Sequence, residues 1–235
     1  MIILNTRPGH YREPFASDFG SFSLPIIESA LLKAQAIDAW PAQANDFDSL
    51  IFTSPFAPTL CPGGSDWRNK PVFAVGPATA AAARRAGFAK ALNTRHTAEE
   101  LVAVLEGQSF RRALYPSGVD ITADLSQRFG GRIVRSIVYR MTPVEEFSPH
   151  VLGELQAARH VFVPLFSRRS AETFVAVVRH CAVLHPQKFT AIGISKKALA
   201  VSQPAWGGAI IARVPTSASM AAALAEHQTI TQLAA

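Results

Sequence analysis

A chain of 235 residues, 49% hydrophobic and 17% charged, has the make-up of an ordinary globular protein and enough apolar material for two small cores or one large one. The net charge of +6 and the pI near 9.7 favour anionic partners: nucleic acid, anionic membrane, or small molecules rich in carboxylates or phosphates. No run approaches the roughly 18 to 20 apolar residues of a membrane span. The basic residues lie in scattered pairs (Arg84-Arg85, Arg111-Arg112, Arg168-Arg169, Lys196-Lys197) without a zinc-finger or RNP-like pattern, which argues against nucleic acid.

The predicted elements alternate in chain order. Ile2 to Asn5 reads as a buried strand, and Arg7-Pro8 ends the run too early for a signal peptide, so the expected compartment is the cytoplasm. Tyr11 to Gly20 reads as a helix with Pro14 in its first turn. Phe22 to Ser29 is extended, and Ala30 to Phe47 irregular around the Trp40-Pro41 breaker. Strands follow at Ser49 to Thr53, Val72 to Val75, Arg112 to Tyr115, Arg132 to Met141, Val161 to Phe166, Phe189 to Ile192 and Ala209 to Ile211. Between them the pattern predicts helices at Ala78 to Ala86, Ala98 to Glu106, Val119 to Phe129, Ser170 to Val183, Ser195 to Ser202 and Ser217 to Glu226. Cys61 and Cys181 lack the spacing of a redox pair or metal site, and the histidines are ungrouped, so free thiols and no metal are expected.

A cassette occurs twice, about 115 residues apart, which is a domain-scale duplication. SLIFTSPFA, VFAVGPATAAAARRAGF and TAEELVAVL recur as HVFVPLFSRRSA, FTAIGISKKALAVS and TSASMAAAL. Strand–helix alternation with short connectors implies an α/β fold of two similar domains, each a parallel sheet flanked by helices, joined by a two-stranded linker. Residues 1–24 and 143–235 form a discontinuous first domain, residues 30–131 an inserted second one, and 25–29 with 132–142 the linker strands. The cassette ends would face a cleft shared by the two lobes.

Ser54, at a strand end before Pro55, either simply caps the next helix or joins that helix N-terminus in holding an anion. Ser167 stands in the matching place beside Arg168 and Arg169. Gly76-Pro77 before Thr79, and Gly193 before Ser195, mark two further strand-to-helix turns, where open α/β sheets bind ligands. Arg7 follows the first strand, placed either for a bidentate carboxylate contact or as an exposed loop residue. Tyr139 lies in the VRSIVYR run, either packed or catalytic. GxSxG, P-loop and GxGxxG motifs are all missing, leaving a cofactor-free protein suited to a polyanion.

In their order and spacing, NTRP, SLIFTSPFA, AVGPATAAAARRAGF, IVYR, VFVPLFSRRSA, KFTAIGISKKAL and VPTSASMAAAL resemble the uroporphyrinogen-III synthase family over nearly the whole chain. The resemblance implies two α/β domains on a two-stranded linker. It also implies cyclisation of hydroxymethylbilane, a linear tetrapyrrole with eight carboxylates, with loss of water and inversion of the last pyrrole ring through a spiro intermediate. No metal or organic cofactor is implied. By this likeness Tyr139 assists loss of the hydroxyl, Thr53, Ser54, Thr79, Ser167 and Ser195 line the cleft, and Lys188 matches a basic family position. The expected partner is thus a small-molecule polycarboxylate bound by a monomer, with no nucleic acid and no membrane. Ile194-Ser195-Lys196-Lys197 departs from the family's usual turn and motivates an alternative, a non-catalytic bilobed domain that binds an anionic tetrapyrrole or other polycarboxylate.

Overall fold

The computed structural model describes every residue except 10, 11, 38, 39, 42, 64, 94–97, 122, 123, 234 and 235. In chain order its elements are β1 (Ile2–Asn5), α1 (Arg12–Phe19), β2 (Ile26–Glu28), β3 (Leu32–Ala36), β4 (Ser49–Phe52), α2 (Ser65–Arg68), β5 (Val72–Ala74), α3 (Gly76–Arg85), β6 (Ala91–Asn93), α4 (Ala98–Glu106), β7 (Ala113–Gly118), β8 (Ile133–Pro143), α5 (Pro149–Ala157), β9 (Val161–Leu165), α6 (Arg168–His180), β10 (Phe189–Gly193), β11 (Gly208–Ile211) and α7 (Ser217–Leu233), with short 3-10 turns between some of them. Two compact units result, one of Met1–Lys33 with Thr142–Ala235 and one of Ala34–Met141.

The first unit's sheet runs β11-β10-β9-β1-β2, and every neighbouring pair is parallel. Its central strands are apolar at consecutive positions because both faces are covered. Ile2, Leu4, Val161, Val163, Leu165, Phe189 and Ala191 pack on one face with Phe174 and Val178 of α6 and Leu155 of α5. Ile3, Phe162 and Ile192 pack on the other with Phe15 and Phe19 of α1 and Met220 and Leu224 of α7. The edge strands β2 and β11 are only partly buried.

The second unit's sheet runs β3-β8-β7-β4-β5-β6, parallel from β8 to β6. Position for position, β4-β5-β6 match β9-β10-β11 and β7-β8 match β1-β2. The sequence duplication therefore extends through both sheets, with the chain entering each at a different strand. The bonds Ile37 N–Val138 O (2.8 Å) and Val144 N–Leu31 O (3.0 Å) set β3 antiparallel to β8.

In each sheet the connections change direction once, between β1 and β9 and between β4 and β7, and the strands part there. The β1–β9 register stops at Phe162 and the β4–β7 register at Leu114, while β9 and β7 run on. A proline sits on one bank of each gap. Ala113 N bonds Arg132 O on the β8 side, so by strand alternation Pro116 turns its ring nitrogen toward the missing β4 partner. Pro164 does the same toward β1, since Ile2 N bonds the alternate carbonyl of His160. Each proline occupies a central strand where no ladder bond is forfeited.

Several expectations change. The segment 25–29 is not a linker strand: β2 belongs to the first unit's sheet, and β3, inside the stretch expected to be irregular, is the strand beside β8. Pro116 does not end its strand, which runs on to Gly118, and within 119–129, of which 122 and 123 lie outside the described residues, there is a bend at 119–120 and a 3-10 helix at Leu125–Phe129 in place of the expected α-helix. Ser195 opens a 3-10 helix, Lys196–Leu199, not an α-helix. The pattern gave no sign of β6 or α5. The first residues of two predicted segments, Tyr11 and Thr97, lie outside the described residues.

Candidate active site

In the first unit the site builds from the β1 turn. Asn5, fully buried, donates through Nδ2 to the Glu28 carboxylate (3.1 Å) and accepts from the Arg7 amide (3.1 Å). Thr6 Oγ1 crosses the strand gap to Pro164 O (2.7 Å). These bonds fix the NTRP turn, and the Arg7 guanidinium lies 4.3 Å from the centre of the Phe166 ring. Ser167 follows directly. Its hydroxyl accepts from Ser170 N (3.1 Å), and the Ser170 hydroxyl accepts from Ser167 N (3.1 Å), a reciprocal cap on α6. Ser195, at the end of the adjacent β10, accepts from Ala198 N (3.2 Å). Gly193 lets Leu199 close over this turn, for a Cβ there would meet the Leu199 side chain at 2.5 Å. Arg7, Ser167 and Ser195 therefore gather at the carboxyl ends of β1, β9 and β10, and the Ile194–Lys197 turn is ordered by its own cap.

In the second unit Thr53 leaves β4 and its hydroxyl meets the Tyr115 hydroxyl of β7 at 3.0 Å, across the strand gap. Burial pushes the Tyr115 phenol above its ordinary range, against the opposing pull of the Thr53 bond and of Arg135. Ser54 does not cap an α-helix. Pro55 and Pro58 leave only a 3-10 turn at Ala57–Leu60, and Ser54 Oγ accepts from Phe56 N (3.3 Å). The anion site expected at that helix N-terminus therefore has no α-helix behind it.

Tyr139 is 8% exposed, a little past the middle of β8. The β7–β8 register slips by one residue there: Ser117 pairs with Ile137 but Gly118 with Tyr139. The bulge breaks the alternation, so Val138 and Tyr139 are both buried. The Tyr139 ring lies across Gly118 and meets Phe56 edge-on, 5.1 Å between centres. It thus reaches over the end of β7 to the loop that carries Thr53 and Ser54.

Two expected residues fall away. Thr79 is 3% exposed, packed within the first turns of α3, with no surface to offer a ligand. Lys188 precedes β10, at the opposite end of that strand from Ser195, and its Nζ donates to Leu155 O and Gln156 O (2.8 Å each), capping the last turn of α5. Sequence reasoning missed Asn5, Tyr115, Gly118 and Arg135. The signal for the middle two was LYPSG, which reads as a strand stop because of Pro116. Among the described residues no three His, Cys, Asp or Glu side chains could hold a metal ion, and no helix is long and apolar enough to cross a membrane.

Two mainly parallel sheets of matching strand order, each with hydroxyl-bearing turns at its carboxyl edge and a guanidinium or phenol beside the strand gap, define a duplicated α/β protein, and the strand ends of such sheets are where ligands of this fold class bind. A family model described as uroporphyrinogen-III synthase HemD matches residues 16–222. The chain belongs to the uroporphyrinogen-III synthase family and is an enzyme of porphyrin biosynthesis. The crystal structure of uroporphyrinogen-III synthetase from Helicobacter pylori 26695 aligns over 97% of this chain and 99% of its own, with TM-score 0.61 and 16% identity, a likeness of fold. A mutant uroporphyrinogen III synthase from the extremely thermophilic bacterium Thermus thermophilus aligns over 99% of both chains at 13% identity and TM-score 0.46. No match is found among curated protein sequences.

Proposed function

We propose that this chain closes hydroxymethylbilane to uroporphyrinogen III and that Tyr139 serves the bond-breaking step. The phenol hydrogen-bonds or protonates the substrate's terminal hydroxyl, the C–O bond breaks, water leaves, and an azafulvene cation remains. A pyrrole carbon attacks that cation to form the spiro C–C bond. Cleavage and re-closure then invert the last ring, and loss of a proton restores aromaticity. The cation is reactive by itself, so most acceleration comes from holding the two substrate ends close. Arg7, Thr53, Ser54, Ser167 and Ser195 are the donors we propose for carboxylates of the substrate.

The observation that carries the reaction is the family match over residues 16–222. The role of Tyr139 is supported by its placement over Gly118 beside the Thr53–Ser54 loop. The test is to incubate the purified protein with hydroxymethylbilane, oxidise the products and separate the isomers. The type III isomer is expected; the type I isomer alone, the product of spontaneous closure, would contradict the reading.

A monomer in a reducing compartment such as the cytoplasm, without nucleic acid, is the working form we infer. Both cysteines are free thiols. One arginine of each pair makes a contact within the chain: Arg84 on Ala91 O, Arg112 over Phe47 and Arg168 with Glu172. Sedimentation velocity with and without RNA tests both points.

A further inference from the structure

The end of β7 is held by one side chain. Arg135 of β8 donates through Nε to Ser117 Oγ (2.9 Å) and through one terminal nitrogen to Gly118 O and Val119 O (2.9 Å each). Its other terminal nitrogen stands 3.7 Å from the Asp124 carboxylate. Asp124 is fixed in turn, accepting from Ser126 N (3.0 Å) and Ser126 Oγ (2.6 Å) as it caps the Leu125–Phe129 turn. The Ser126 hydroxyl bond holds its carboxyl below the usual range, with Arg135 contributing, so it is charged at neutral pH. The guanidinium fork is therefore occupied by the protein, with the side chain 20% exposed, which is the arrangement of a positioning group and not of a substrate-binding one.

What it positions follows from the register. Ser117, Gly118 and Val119 are the residues around the bulge. Val119 N bonds the carbonyl of Tyr139 (2.9 Å), and Gly118 lies beneath the Tyr139 ring. Beyond Ser117 the ladder is irregular, and two of the carbonyls there are satisfied by Arg135.

We infer that Arg135 is a positioning residue for Tyr139: its fork sets the backbone of residues 117–119, and that backbone sets where the phenol stands. The inference rests on the proposed role of Tyr139 and adds a residue outside the substrate contacts. Lysine cannot replace it, because one ammonium does not span a hydroxyl, two carbonyls and a carboxylate in a plane.

The test compares R135M, R135K and Y139F by steady-state kinetics on hydroxymethylbilane. It also follows the tyrosine ring-carbon NMR signals, only three in this chain. The expected result is a fall in kcat of about tenfold or more in both Arg135 variants with KM little changed, and a displaced Tyr139 signal in folded protein. A wild-type kcat in R135M, or full rescue by lysine, would overturn the clamp. Y139F separates the two claims: an unaltered Y139F defeats the assigned role of the phenol, while a slow Y139F beside a fast R135M defeats only the positioning. If R135M does not fold, S117A, which removes the acceptor of Arg135 Nε together with the Ser117 Oγ–Gly118 O bond (3.2 Å), is expected to give a smaller drop in kcat of the same kind, and an unchanged rate there overturns the clamp.

Discussion

A Cβ on Gly118 would stand 2.8 Å from Cε2 and Cζ of the Tyr139 ring. The phenol can lie across the end of β7 only because that position has no side chain. Gly118 has no positive φ, so the requirement is for space and not for an unusual backbone. The G118A variant is expected to fold with a melting temperature within a few degrees of wild type and to lose about tenfold or more in kcat, because the ring must move by an ångström or so. Wild-type turnover in G118A would mean the ring does not need this placement.

Burial of the Tyr115 phenol, against the opposing pull of the Thr53 bond, makes stability depend on alkaline pH. The Tyr115 phenol, with an ordinary value of 10.0, keeps its proton to higher pH in the folded chain, chiefly through burial. Cys61 is pushed in the same sense, from 9.0 to about 11, by burial against the opposing charge of Arg68. Both groups stabilise the fold fully below their unfolded values. Above those values the unfolded chain releases protons that the folded chain retains, so stability falls. Urea unfolding from pH 7 to pH 11 should show a decline beginning near pH 9 and steepening above pH 10. The Y115F variant should flatten the upper limb while losing about 1 kcal/mol at pH 7 with the Thr53 bond. An identical slope in Y115F would remove Tyr115 from this account.

Lys188 is expected to matter for stability alone. K188M removes two charge-assisted bonds to the last carbonyls of α5 and should cost about 1 kcal/mol, with KM unchanged. A rise in KM without loss of stability would return Lys188 to the substrate.

Ser167 differs because it stands at the strand ends and caps α6 as well. S167A should lower stability by about 1 kcal/mol through the lost cap, and also raise KM. A stability loss with unaltered KM would reduce Ser167 to a cap.

The parallel sheets were legible because their central strands, IILN, SLIF, VFVPL and FTAIG, are apolar at every position or nearly so, and the glycines and hydroxyls that end them mark where the chain turns. That punctuation also marked Arg7, Ser167 and Ser195, which stand at the carboxyl ends of β1, β9 and β10. The β7 end was not, because Pro116 reads as a terminator unless the neighbouring strand is known to have parted from it, and that is a property of the sheet and not of the segment. Lys188 was named from the family resemblance alone; its place just before FTAIG puts it at the amino end of a parallel strand, opposite Ser195. Thr79 looked available because the GPAT turn is at the right edge, yet helical geometry turns the third residue after the glycine into the core.

The most direct measurement sets wild type beside Y139F on hydroxymethylbilane and follows the yield and rate of the type III isomer. Wild type should give type III product, and Y139F, with an unaltered circular dichroism spectrum, should form it at least about tenfold more slowly. Equal rates for the two proteins, or type I product alone from wild type, would contradict the account.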